Sequence, residues 1–436
     1  MLGQMNARKN LRQQIPNRTL FIGDNLDVMR GINSGSVDLV YLDPPFNSKR
    51  TYAAPIGSEA AGAGFKDAWT MEDTKEEWLG MIAEKHGALE QVIQAAGVAG
   101  HKTNKAYLVY MAIRLLEIHR IVKSSGAVYF HCDPTMSHSI KLVMEAIFGA
   151  RNFCNEIIWC YSTSGRAAAG KRKTWAGKHD VLLSYAKRMD QLKADCTLPC
   201  SDEYIKSHYR QTDGQGRKCR IRMDAGKRRV YYPGDGMNGN DWWEIPYVNS
   251  RARERTGYPT QKPLELLKRI VGAGSEKNGI VLDPFCGCAT TLIAADILER
   301  QWWGIDISPR AVDLVNLRLP REAAVATGKQ GTLTGRKAIT RTDIPRRTDK
   351  GAVKPSANIR HMLYGRQQGD CNGCETHFEF RHLTKDHAIP LSRGGTDTDD
   401  NLQLLCGHCN SLKGNGTMEE LKARLRKLGV LRDSRR

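Results

Sequence analysis

No apolar run in this chain approaches the ~18 consecutive residues that a membrane-spanning helix needs. The N-terminus also lacks the charged-then-apolar pattern of an export signal. These two absences argue against a membrane partner and give the expectation of a cytoplasmic protein. Acidic residues are in deficit, with 47 Asp and Glu against 66 Lys and Arg, for a formal net charge of +19. The basic residues are spread along the whole chain, which favours a polyanionic partner, although plain solubilisation would leave the same count. Disulfides are not expected either. The 12 cysteines read in a cytoplasmic chain as buried thiols or metal ligands. At 436 residues there is room for two or three domains with sizeable cores.

Within that frame one stretch carries chemistry. Val40-Tyr41-Leu42-Asp43-Pro44-Pro45-Phe46 is an apolar strand that delivers a carboxylate, two prolines and an aromatic ring to the point where it must stop. An amino group on a planar base is a poor nucleophile because its lone pair is delocalised. Acceptors on its two hydrogens, the Asp43 carboxylate and the Pro44 carbonyl, favour a pyramidal nitrogen with its lone pair aimed at an electrophile. Pro44 and Pro45 fix the backbone, and Phe46 offers a face for an extruded base. On these seven residues alone, a strand end closed by a Pro-Pro turn reads the same way.

Residues 1–18 are a basic arm without apolar period, and Thr19 to Asn25 reads as a strand and turn. Ala53 to Gly64, rich in Ala, Gly and Ser, is expected to be a mobile loop. Helices are expected over Glu76 to Ala96, Lys105 to Val122 and Ser137 to Phe148, with strands at Ala127 to Asp133, Asn155 to Tyr161 and Asp180 to Tyr185. His131 at a buried strand end reads as a packing or hydrogen-bonded residue. Alternating strands and helices predict an α/β, doubly wound, mainly parallel sheet covered on both faces. Between Lys187 and Tyr258 the periodicity fails, and basic and aromatic residues interleave as they do in chain that contacts phosphates and base edges. Thr260-Gln261-Lys262-Pro263 then opens a helix. Gly279 to Thr291 gives a strand, a tight turn of small residues and a helix start that suits an anion. Trp302 to Asp306 ends a further strand in an acid placed to hold ribose hydroxyls.

In this order the motifs resemble the amino-methyltransferases of DNA in their β arrangement, over residues from about 19 to 320. The resemblance runs through Gly23-Asp24-Asn25, Asp43 to Phe46, His179-Asp180, Tyr258 to Pro263, Asp283 to Gly287 and Gly304 to Asp306. It implies a Rossmann-like methyltransferase that takes S-adenosyl-L-methionine as methyl donor, with a catalytic half at 19–186, an irregular target-recognition region at about 187–258 and a cofactor-binding half at 259–320. Asp283, Phe285 and Gly287 are then expected at the methionine end of the cofactor, Thr260 near its carboxylate, Asp306 at the ribose, and Asp24 with Asn25 near the adenine. Cys288 stands where many relatives have glycine. Aspartate at position 43 resembles adenine-N6 enzymes more than cytosine-N4 enzymes, where serine is common.

Past about residue 330 the composition turns basic and polar, and 331–361 is expected to be a linker. Cys371-x-x-Cys374 and Cys406-x-x-Cys409 have the spacing of a four-thiolate structural zinc site. Between and after them lie Asp386-His387, Asn401 and Asn410. The set over 362–415 resembles the HNH nucleases, whose small fold is a zinc-stapled ββα unit. By that resemblance His387 is the general base, Asp386 and Asn410 hold Mg2+ or another divalent cation, and Asn401 orients the histidine-bearing loop. A zinc-stapled DNA-binding module that cuts nothing has the same cysteines. Residues 416–436 form a basic tail expected to touch phosphate. The whole reads as a bacterial or phage-encoded enzyme that methylates adenine N6 in double-stranded DNA, with restriction-modification as its setting and a homodimer left open. Rival readings are a cytosine-N4 enzyme, a methyltransferase with a silent HNH unit, and a DNA-binding protein without catalysis.

Overall fold

The computed structural model describes residues 15–100, 102–162, 173–328, 336–349 and 358–431. The expected basic arm lies almost wholly outside the described residues. A nine-stranded sheet forms the centre. Its strands are β1 (Thr19–Ile22), β2 (Val37–Leu42), β3 (Val122–Cys132), β4 (Phe153–Cys160), β5 (His179–Ala186), β6 (Trp242–Glu244), β7 (Ile280–Asp283), β8 (Gln301–Asp306) and β9 (Ile339–Arg341). Across the sheet they run β6-β4-β5-β3-β2-β7-β8-β1-β9. Every pairing is parallel except the two made by β5. The doubly wound, mainly parallel sheet is therefore as the alternating pattern predicts.

The central strands are apolar on both faces because helices cover both. In β2 every side chain is buried except that of Asp38, which is held by Lys123 at 2.7 Å and accepts from the Ile280 amide at 2.8 Å. One face carries α1 (Asn25–Gly31), α2 (Glu76–Lys85), α3 (Gly87–Ala99), α4 (Lys102–Ile121) and α5 (Ser137–Phe148). The other carries α6 (Leu264–Gly274), α7 (Thr290–Ile297) and α8 (Arg310–Ala326). The helix expected over 76–96 is broken at His86, whose backbone leaves the helical region. The helix expected to end at Val122 gives way there to β3, so Lys123 to Gly126 are strand. A Cβ at Gly126 would meet the Asp38 carbonyl oxygen at 2.6 Å, so the glycine is needed for strand approach.

The segment expected to be a mobile loop is pinned. Arg50–Ala53 and Gly64–Asp67 pair as a hairpin. Ala60 and Ala63 are buried, and the Ala60 amide donates to the Thr256 carbonyl at 3.0 Å. Small side chains and backbone hydrogen bonds substitute here for the missing apolar mass. In the irregular segment between residues 187 and 258 Lys218–Asp224 and Lys227–Tyr231 form an exposed hairpin, a local order that periodicity does not reveal.

The described part of the basic segment after the sheet is not loose. β9 extends the sheet beside β1, and Thr348 and Asp349 bond to Asn33 and Ser34. The C-terminal unit contains α9 (Ile359–Arg366), the antiparallel pair β10 (Leu383–His387) and β11 (Leu402–Cys406), α10 (Gly407–Lys413) and α11 (Met418–Lys427). α9 packs on α2 so closely that a Cβ at Gly80 would collide with the His361 carbonyl oxygen, and one at Gly365 would overlap that of Glu76. Charged and polar contacts frame this crossing, including His361 to Glu84 at 3.0 Å and His377 to Glu90 at 3.2 Å. The buried core of α2 to α5 runs without a gap into Leu363, Tyr364, Phe380 and Leu404. α11 buries Leu421 and Leu425, and Leu421 packs beside Gly373.

Candidate active sites

The C-terminal ends of β1, β2, β7 and β8 open onto one cavity of about 400 Å³. Asp24, Asn25, Asp43, Pro44, Pro45, Phe46, Thr260, Asp283, Phe285, Gly287 and Asp306 all line it. Residues from separate motifs, far apart in sequence, thus face the same space. In parallel α/β sheets this edge is where ligands bind.

Each wall has a local cause. Asp24 caps α1 by accepting from the Leu26 amide at 2.7 Å. It also receives Arg114 Nη2 at 3.0 Å, while the Asn25 side chain accepts from Arg114 Nε at 2.6 Å and donates to the Pro284 carbonyl at 2.8 Å. Arg114 is fully buried, its guanidinium 3.4 Å from the Tyr110 ring centroid. Gly287 has φ +47°, and a Cβ there would meet the Tyr258 ring at 3.0 Å. Cys288 is buried and lines the cavity, which is open with the cysteine in place.

The carboxylates differ in their partners. Asp283 accepts from the Phe285 amide at 3.0 Å, and burial pushes its carboxyl up to about 7. Asp306 accepts from the Gly287 and Ser308 amides, each at 2.8 Å, and burial raises it as well. Asp43 instead faces the Lys262 ammonium, which donates to its two oxygens at 2.8 and 2.7 Å. Behind it, fully buried His131 bonds Tyr41 Oη at 2.8 Å and Asp180 at 3.2 Å, with its ring centroid 5.6 Å from that of Phe46. His131 is the hydrogen-bonded packing residue that its place in the sequence suggests. Burial works to raise Asp180, but the His131 hydrogen bond and charge outweigh it and hold the carboxyl below the usual value. The Lys262 contact has no sequence signal beyond its place in a recognisable tetrapeptide.

The sequence matches the family described as DNA methylase over residues 37–317, which is more than half of the chain. The chain belongs to the DNA methylase family. This methylase is also matched by the HNH endonuclease family over residues 371–416, so it carries a C-terminal HNH domain. It is 25% identical to the type II methyltransferase M.EcaI of Enterobacter cloacae, over 76% of this chain and 74% of that protein. It is 25% identical to the DNA adenine methyltransferase YhdJ of Escherichia coli strain K12, over 75% of this chain and 93% of that one. Among solved structures it resembles the DNA modification methylase TTHA0409 of Thermus thermophilus in complex with S-adenosyl-L-methionine, with 18% identity, a TM-score of 0.41 and coverage of 74% of this chain and 98% of that one.

In the HNH domain the sulfur atoms of Cys371, Cys374, Cys406 and Cys409 lie within 4.8 Å of one another, the one such cluster of possible ligands among the described residues. Amides of Gly373 and Cys406 point at Cys371 Sγ, and that of Cys409 at Cys406 Sγ. A soft, tetrahedral cation fits this donor set. Asn401 donates to the Ile389 and Thr396 carbonyls at 2.9 and 2.7 Å and accepts from the Ile389 amide, so it closes the loop after His387. His387 Nε2 meets Asp397 at 2.9 Å. Asp386 and His387 line a cleft of about 270 Å³ with Lys413. The two residues expected to hold an ion lie on adjoining elements, Asp386 on β10 and Asn410 on α10. Asp386 is held by Gln403 at 2.8 Å and by buried Lys413 at 3.1 Å, while the Asn410 amide reaches Thr384 at 3.2 Å. Among the described residues, no helix is long and apolar enough to cross a membrane.

Proposed function

We propose that this chain methylates the N6 amino group of adenine in double-stranded DNA, using S-adenosyl-L-methionine, and that its HNH domain cuts DNA in a restriction-modification setting. The observation that carries the reading is the shared cavity: the Asp43-Pro44-Pro45-Phe46 turn and the Asp283, Gly287 and Asp306 side face the same space. S-adenosyl-L-methionine supplies an electrophilic methyl group on a sulfonium. Asp283 and the turn at Phe285 to Gly287 would hold its methionine end with Thr260. Asp306 keeps free lone pairs for ribose hydroxyls, and Asp24 with Asn25 would border the adenine. Phe46 stacks the extruded base, and Asp43 with the Pro44 carbonyl accepts from the two amino hydrogens. The nitrogen lone pair forms the N–C bond, the C–S pair stays on sulfur, and one N–H proton departs. Adenine is favoured over cytosine by Asp43 and by the named specificity of the YhdJ relative.

In the HNH domain the four cysteines would hold structural zinc, and His387, oriented by Asp397, would act as general base on water. The test is single-molecule sequencing of DNA from an unmethylated host that expresses the His387→Ala chain, beside the same chain with Asp43→Ala added. Methyladenine at one short motif in the first strain and none in the second is the expected result. Methylcytosine would replace adenine by cytosine-N4 as the target. Cleavage by the wild-type chain of unmethylated but not premethylated plasmid is the expected nuclease result, and a His387→Ala chain that cuts equally well would remove the HNH assignment.

A further inference from the structure

Both oxygens of Asp43 are already engaged by one cation. Lys262 Nζ lies 2.8 and 2.7 Å from them, although the two residues are 219 positions apart. The Lys262 side chain is only 9% exposed, and its ammonium sits 5.1 Å from the Phe46 ring centroid and has the Thr260 carbonyl at 3.5 Å. His131 also lies 3.9 Å from Asp43, with its two nitrogens occupied by Tyr41 and Asp180.

The reaction needs Asp43 as an acceptor, and therefore as an anion. A protonated carboxyl would present a donor to the amino group and could not draw its lone pair out of the ring. The cavity itself opposes an anion, because burial disfavours the charged form. Two other carboxylates in the same cavity illustrate this: Asp283 and Asp306 accept only from neutral partners, amides and the Thr291 hydroxyl, and burial lifts both above the usual carboxylate range. Asp43 alone among the three has an ammonium in direct contact.

We propose that Lys262 is a positioning residue for methyl transfer, pinning Asp43 as an oriented anion whose unused lone pairs face the incoming amino group. Each carboxylate oxygen has two acceptor sites, so Lys262 can stay in place while the base is held. Lys262 stays on both Asp43 oxygens throughout the transfer. The proton shed by the methylated nitrogen therefore passes to water, and Asp43 returns to its resting pair unchanged. Lys262 does not touch the reacting atoms; it acts through Asp43.

This inference rests on the methyl-transfer reading. The experiment measures single-turnover methylation by the full chain carrying His387→Ala, as a function of pH, for Lys262, Lys262→Arg and Lys262→Met. The methionine variant is expected to have its acid limb displaced upward by about one unit or more, with a loss of up to about tenfold per unit of displacement on that limb and recovery of the parental rate as the pH rises. The arginine variant is expected to keep the parental acid limb. Cofactor affinity by calorimetry and base extrusion reported by 2-aminopurine fluorescence should be unchanged in both. A methionine variant with the parental profile, or one lowered equally at every pH, would overturn the proposal. Should that variant not fold, Lys262→Gln carries the same comparison. A parental chain that transfers no methyl group would overturn the methyl-transfer reading and this inference together; a parallel profile overturns this one alone.

Discussion

Asp283 is buried at the end of β7, and burial lifts its carboxyl to about 7, well above the roughly 3.9 of an unfolded chain. The sign follows from proton linkage: between roughly pH 4 and 7 the folded protein holds a proton that the unfolded chain has lost, so Asp283 lowers stability as the pH rises through that window. A bound cofactor whose amino group is cationic favours the anion. Binding of S-adenosyl-L-methionine is therefore expected to release a proton below pH 7 and to weaken by up to about tenfold per unit of acidification. Calorimetry in two buffers of different ionisation heat measures the proton directly, and Asp283→Asn should abolish its release. At this scale the sequence was readable wherever a side chain belongs to a contiguous motif, as with Asp43 to Phe46 or Asp283 to Gly287. It was not readable for the partners of Lys262, Arg114 or His131. Those partners lie at 43, 24 and 25, and 41 and 180, and polar contacts between distant segments leave no local trace.

Helices and strands were legible where period and terminator agree. Ser137–Phe148 was expected with the bounds it has, and Gly149 follows it at φ +85°. The break at His86 was hidden because apolar spacing continues through it, and the start of β3 was hidden because a basic turn and a glycine also suit a helix end. The crossing of α9 and α2 was beyond reach, since glycines at 80 and 365 read only as weak helix formers until the backbones are seen to touch. That crossing predicts intolerance to a methyl group. Gly365→Ala should cost about 3 kcal/mol or more in chemical denaturation, while Gly429→Ala, with nothing near its Cβ but a left-handed φ of +71°, should cost about 1 kcal/mol through backbone strain alone. Equal effects would mean that the helix pair does not meet as described. His377 adds a pH term. The Glu90 hydrogen bond raises its ionisation above the usual histidine value despite opposing burial. Its contribution to docking is thus full in mild acid and lost as the pH climbs past that raised value.

Across the whole molecule, two family resemblances suggest two modules on a string, and composition alone supports a flexible connector. The structure gives a different relation. β9 completes the methylase sheet, α9 docks on α2, and the buried core passes from one unit to the other. Nothing in residue types could reveal this, because a basic, polar segment looks the same whether it floats or lies along a sheet edge. The consequence is metrological: with both proposed activities the protein would be a ruler. With methylase cavity and HNH cleft set in one body, the number of base pairs between the adenine proposed for methylation and the phosphate proposed for cleavage would be a property of the crossing of two helices, not of connector length. Lengthening the chain between Lys350 and Ala357 with Gly and Ser should leave the cut at the same offset from the recognition motif. A cut that drifts outward with each added residue, mapped by end-sequencing the products, would show the ruler to be a tether.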